Sequence, residues 1–360
     1  ASNNTAVGHG ALTSNTTGNN QVAVGSNALD ANTTGLYNTA VGSAALTSST
    51  DGNNNVAIGY QALDSNVSGS DSVAVGKGAL QAFTGSGSVG GSVGVGRDAL
   101  YSLTTGESHV AIGENAGYSV TTGNNTVAIG KLALYANTGN DNTAVGHQTL
   151  QANTTGTNNV AVGRDALNDN TTGANNVAVG IYALDENSTG GSNVAIGAYS
   201  LGETLEDYNT AVGYAALEKN TTGEYNVAVG SLALDANTTA DSNIAIGHNA
   251  LTKNTTGGSN IAIGRNASQE NTTASDNIAI GLQALYNTST GDKNVAMGRE
   301  AMQAATTVNK CVVIGYQAMY THTGTGDERN VMVGYGAGYA ETTGYNNTFI
   351  GSNAGGSVTT

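Results

Sequence analysis

The chain has no proline, no tryptophan and one cysteine, Cys311, in 360 residues. A lone cysteine excludes an intrachain disulfide and, within one chain, a cysteine-based zinc site. Phenylalanine occurs only at Phe83 and Phe349. Basic residues number 11 against 26 acidic ones, for a formal net charge of −15. The carboxylates are scattered, which reads as a solubilising surface, and no basic stripe is present to meet the phosphates of a nucleic acid. No stretch approaches the roughly 18 consecutive apolar residues of a membrane helix, so no membrane insertion is expected. The chain also lacks an initiating Met, and Ala1 falls inside the pattern described next, so a fragment or mature segment of a longer protein is expected.

What is present is a repeat. A glycine closes a short apolar run 21 times, from Gly8, Gly25 and Gly42 to Gly334 and Gly351. Gly25 to Gly42 shows the usual interval, which lengthens between Gly76 and Gly96 and between Gly315 and Gly334. A fixed period of this length marks an architecture in which each unit stacks on its neighbours. Glycine is abundant, at 52 residues, and such a composition is compatible with disorder. A disordered segment, however, has no reason to keep a period. One continuous repeat domain is therefore expected over residues 1–360.

The stretch Asn159–Gly173 shows the unit: N-V-A-V-G-R-D-A-L-N-D-N-T-T-G. Its first residues alternate as a half-buried strand does. The residue before each glycine is Val or Ile in every repeat except at Met297. β-Branched residues suit a pleated surface, and the expected core is therefore Val24, Ile58, Val162, Ile196, Ile246 and their equivalents. After the glycine come two variable residues and then Ala, in 19 of 21 repeats, followed by Leu in 15, which predicts a second, shorter strand. N-T-T-G closes the unit with turn chemistry. Two turn signals in every period leave no room for a helix of ordinary length. The fold class is thus all-β: a parallel β-solenoid of about 21 turns of about 17 residues, one turn per repeat.

Two rows follow from the register. Asn stands four positions before the glycine in 15 of 21 repeats, and stacked amides there can bond along the axis. Ala stands two before it in 17 of 21. On the period-two reading this row, with Ala23, Ala40, Ala57, Ala161, Ala178 and Ala195, lies opposite the Val/Ile face, and it is expected to pack against another chain. Fifteen Asn-x-Ser/Thr sequons occur. Those at Asn15, Asn32, Asn153, Asn170, Asn220 and Asn254 fall in the N-T-T-G loop, where glycosylation is weighed against simple turn formation and the latter preferred.

The motif N-[VT]-A-[VI]-G-x-x-A-L-x-x-N-T-T-G, carried by Asn55–Gly59 with Ala62–Leu63 and by Asn243–Gly247 with Ala250–Leu251, resembles repeats of phage tail fibres and of trimeric autotransporter adhesin heads. The resemblance covers essentially the whole chain. It implies a left-handed β-roll, three chains side by side as a homotrimer or other homo-oligomer, and an extracellular fibre on a virion or cell surface.

No chemistry is legible. His9, His147 and His248 share one repeat position but lie eight and six turns apart, roughly 38 and 29 Å at ordinary strand spacing. Asp30, Asp64, Asp185 and Asp235 share another position without pairing. No nucleophile–base signature and no phosphate-binding loop is found. No catalytic residue, cofactor or metal site is expected, and the chain reads as a non-enzyme. The leading expectation is a structural shaft that holds an adhesive tip away from a particle or cell. The alternative is a module that grips a host-surface glycan or protein through its exposed variable positions. Ice binding is weighed and set aside, because strand Thr is sporadic.

Overall fold

The structure, a computed structural model, describes residues 1–85 and 91–358. The chain divides into two compact units, Ala1–Ala178 and Val179–Thr360. Each is a parallel β-solenoid, with no helix among the described residues. Every turn contributes a short strand, such as Thr39–Val41, Val127–Ile129 and Val160–Val162 in the first unit and Thr210–Val212 and Ile261–Ile263 in the second. Consecutive strands pair in register: Val24 with Val41, Ile112 with Ile129, Ile246 with Ile263. The register survives the two lengthened repeats. Val73 pairs with Val93 across Phe83–Gly91, of which 86–90 lie outside the described residues. Val312 pairs with Val331 across Thr321–Arg329.

The strand faces are the reverse of the sequence expectation. Ala23, Ala40, Ala57, Ala161, Ala178 and Ala195 are fully buried inside their own turns. Val24 is half-buried and Ile58, Val162, Ile196 and Ile246 are exposed. Alternation fixes that the two sets face opposite ways, but it does not say which faces inward. The cross-section decides. At Gly94, which replaces Ala in this row, an added methyl would already lie 3.3 Å from Leu80 Cγ and 3.3 Å from the Ala99 carbonyl oxygen. In most turns the interior holds no more than a methyl group at this row, so Val and Ile are left outside; Val313, fully buried in the same row, is an exception.

The last turns test this by size exchange. The inward residue grows to Met332 and then Phe349, and the facing Leu shrinks to Gly338 and Gly355. A Cβ at Gly338 would come within 2.7 Å of Met332 Sδ. A larger side chain on one wall is accommodated by removing one from the other, which conserves volume.

The predicted second strand at Ala–Leu does not form. Leu29, Leu46, Leu167 and Leu251 adopt left-handed backbone, with φ of 51–53°. The preceding Ala N–H bonds back to the closing glycine, as from Ala45 to Gly42 O at 3.4 Å. The segment is a tight turn. Left-handed backbone costs about 1–2 kcal/mol for a residue with a Cβ, and complete burial of Leu returns about 1.5–3 kcal/mol. Burial wins, and the chain can return within so few residues. The closing glycines are required for a different reason: at Gly25, with φ 140°, any Cβ would collide with the carbonyl of Gly42 in the next turn.

Candidate functional site

Three features stand out around this cross-section. The first is internal. The Asn that precedes most strands is buried and bonds in both directions along the stack. Asn55 N–H donates to Asn38 Oδ1 at 2.9 Å, and Asn55 Nδ2 donates to Gly69 O at 2.8 Å. The expected Asn ladder is therefore present. A second ladder, which the sequence reading missed, is built by the Asn of N-T-T-G. Asn170 Nδ2 donates to Asn153 Oδ1 at 2.7 Å and to Gly173 O at 3.1 Å. The two ladders meet on one carbonyl: Gly173 O also accepts from Asn159 Nδ2 at 2.9 Å.

Only the Thr residues at the N-T-T-G tips reach solvent, whereas the Asn and Gly are anchors. Asn32, Asn153, Asn170, Asn220 and Asn254 are fully buried, and Asn15 is half-buried with Nδ2 bonded to Gly18 O at 3.1 Å. The five fully buried amides are not available to carry glycans in the folded chain, which corrects those candidate assignments and leaves Asn15.

The second feature is the outer strand face. In both units it shows two outward residues per strand, β-branched except at Met297, with Val160 and Val162 exposed at 39% and 37% and Ile196 at 41%. On the strands that precede the closing glycines, the outward positions hold Val, Ile, Thr or, at Met297, Met, and no charged side chain.

The third is where the ladders are interrupted. In the first unit the loop Asn gives way to Phe83, Leu103 and Val120, all fully buried. The strand-entry Asn gives way to Ser92, His109 and Thr126. His109 is buried against Thr126, with Nδ1 and Oγ1 2.5 Å apart. Burial pushes its pKa below the ordinary histidine value, opposed by a hydrogen bond at Gly123. In the second unit His322 and Glu341 occupy consecutive loop-Asn positions, and Cys311 a strand-entry position. His322 Nδ1 lies 2.5 Å from Glu341 Oε2, and its Nε2 meets Glu328. All three side chains are buried. Burial alone would lower the His322 pKa, but the Glu341 and Glu328 carboxylates outweigh it and the pKa is raised. Burial raises Glu328 as well, with His322 opposing. The Cys311 thiol, desolvated and near both carboxylates, is pushed up to about 12. Among the described residues no group of His, Cys, Asp and Glu has the arrangement of a metal site.

Tyrosines form stacks on successive turns. Tyr101, Tyr118 and Tyr135 stack at centroid separations of 5.1 and 5.2 Å, and Tyr316 stacks on Tyr335 at 5.3 Å. Each pair occupies one repeat position, so the stacking is a product of register. His9 and His248 belong to the same kind of variable surface position.

No family model matches the chain, and no curated protein matches it.

Proposed function

We propose that this chain is the structural shaft of an extracellular fibre, and that copies associate through the outward Val/Ile face. Its role is mechanical rather than enzymatic: hydrogen-bonded stacks of turns that hold another element away from a particle or cell surface. The observation that carries the reading is the outward strand face. It is mostly apolar, with Thr on some strands, and free of charge in a chain of net charge −15. Copies that meet there avoid the repulsion of their carboxylates, and depletion of charge is the compositional mark of an interface core. Two outward residues on each of about ten strands in a unit amount to roughly 20 residues, the number one partner contributes to a stable interface. The Ala row cannot play this part, because it is already enclosed within the chain. Three chains side by side, as the repeat resemblance implies, would cover the face completely.

Immunogold labelling of the source particles or cells with antibody to this chain tests the role. Gold along filaments projecting from the surface supports it. Gold confined to the cell interior contradicts it.

A further inference from the structure

Tyrosine is the aromatic residue of this chain, with 16 Tyr against two Phe and no Trp. Most of these rings stand in stacks on consecutive turns. In the second unit Tyr208 and Tyr225 have centroids 5.3 Å apart and planes within 4°, and Tyr316 and Tyr335 lie at 5.3 Å and 10°. Register explains why two tyrosines at one repeat position stack. It does not explain why they fall on consecutive turns at several different positions. The position of Tyr208 holds Asn20, Asn54 and Asp71 in other turns, and that of Tyr316 holds Ser26, Lys77 and Arg265.

The paired rings are open to solvent. Tyr208 and Tyr225 are exposed at 53% and 54%, Tyr316 and Tyr335 at 36% and 59%. Their backbones are pinned by the strands beside them, where Thr210 pairs with Val227 and Val312 with Val331. An oxidant from outside can therefore reach both rings, and the two reacting partners are already neighbours. Holding them so makes their coupling effectively unimolecular. With Cys311 as the only cysteine, no disulfide can clamp one turn to the next.

We propose that the stacked pairs Tyr208–Tyr225 and Tyr316–Tyr335 are sites of oxidative cross-linking, at which hydrogen peroxide acting through a one-electron peroxidase joins the two rings as dityrosine and clamps adjacent turns covalently. Each phenol gives up one electron and its O–H proton. One hydrogen peroxide takes up both electrons and both protons and becomes two waters. The two phenoxyl radicals join through ring carbons ortho to oxygen, forming one C–C bond. The hydrogens on those carbons then move to the oxygens and restore both phenols, so the chain loses two hydrogen atoms in all. The product closes a loop one repeat long and constrains the unfolded chain as a disulfide does. The proposal stands whether or not the chain is a fibre shaft.

The test treats the full 360-residue chain, dilute, with a haem peroxidase and limiting hydrogen peroxide, followed by digestion and mass-spectrometric mapping. Tyr37 and Tyr345 are exposed at 59% and 70% and stack on no ring among the described residues, so they report oxidation governed by access alone. Peptides joining Tyr208 to Tyr225 and Tyr316 to Tyr335, each pair two hydrogens lighter, should exceed any cross-link to Tyr37 or Tyr345 by about tenfold or more. The cross-linked chain should keep its single-chain mass on a denaturing gel. Tyr225→Phe should abolish the first cross-link and leave the second unchanged, with circular dichroism confirming the fold. Cross-links dominated by Tyr37 or Tyr345, dityrosine formed only between chains, or no dityrosine at all would overturn the assignment.

Discussion

Replacing Asn226 by Ala should open the second unit locally at one identifiable amide. Asn226 is fully buried. Its Nδ2 donates to Ala240 O at 2.8 Å, and its Oδ1 accepts from Asn243 N–H at 3.0 Å. A third, longer bond from Nδ2 to Asn209 Oδ1 at 3.3 Å is lost as well, but that oxygen keeps the Asn226 backbone N–H; the two main losses are unequal. Ala240 O keeps a second donor, Asn237 Nδ2 at 3.0 Å, so the first loss is that of an ordinary hydrogen bond, about 0.5–1.5 kcal/mol. Asn243 N–H is left buried without an acceptor, which costs about 1–3 kcal/mol. The sum is about 1.5–4.5 kcal/mol. At about 1.4 kcal/mol per decade that is roughly a tenfold to a thousand-fold loss of protection. Hydrogen exchange read by residue-resolved NMR or mass spectrometry is the assay, because a repeat array need not unfold in one step. Asn243 and its neighbours should exchange faster, while Thr222→Ala at the exposed tip of the same turn should change protection little. Unchanged protection at Asn243 in the Asn226→Ala variant would refute the claim that the ladder bears load.

Ala161→Met should destabilise the first unit by about 1–3 kcal/mol through overpacking, and adding Leu167→Gly should recover part of the loss, as the Met332–Gly338 pair implies. A double-mutant cycle by thermal unfolding checks this, and strict additivity would contradict it. The two buried histidines predict opposite pH responses. The His109 pKa is lowered on folding, so its contribution is intact above about pH 6.5 and falls as acid protonates the unfolded chain first. The His322 pKa is raised, so its contribution is complete below about pH 6.5 and is lost as pH rises through the folded value. Local exchange around each histidine across about pH 5–9 should diverge accordingly, and parallel trends would sink the assignment. Expression in a glycosylating host should leave Asn170 unmodified in the folded product, with glycopeptide mapping as the readout. High occupancy at Asn170 would contradict its burial.

The period, the strand positions and the Asn ladder were legible because each is a local signal repeated in register. Val, Ala and Val alternate across one strand, and Asn recurs at one fixed distance from glycine. Which strand face lies inside was not legible from alternation. It depends on the width of the cross-section, which is set by the return path through Ala and Leu. Propensity misled there, since Leu in left-handed backbone violates the usual preference and is held by burial alone. One signal for the true polarity does stand in the sequence: the exchange of Ala–Leu for Met332–Gly338 and Phe349–Gly355. Two positions that trade size face each other, which places the Ala row on Leu. The ionic cluster was hidden for another reason. His322 and Glu341 are distant in sequence and become neighbours only once they are recognised as loop-Asn positions in a lengthened repeat.

The most direct test of the account is the solution mass of the wild-type chain beside that of a Val160→Glu, Val162→Glu double variant, each measured by light scattering with circular dichroism to confirm the β fold. Both side chains point outward, so the substitutions should leave the first unit folded while setting carboxylates against one another across the proposed interface. The account predicts a wild-type species about three times the 35.7 kDa chain mass and a folded variant at the chain mass. A wild-type chain that is monomeric at 35.7 kDa would contradict it.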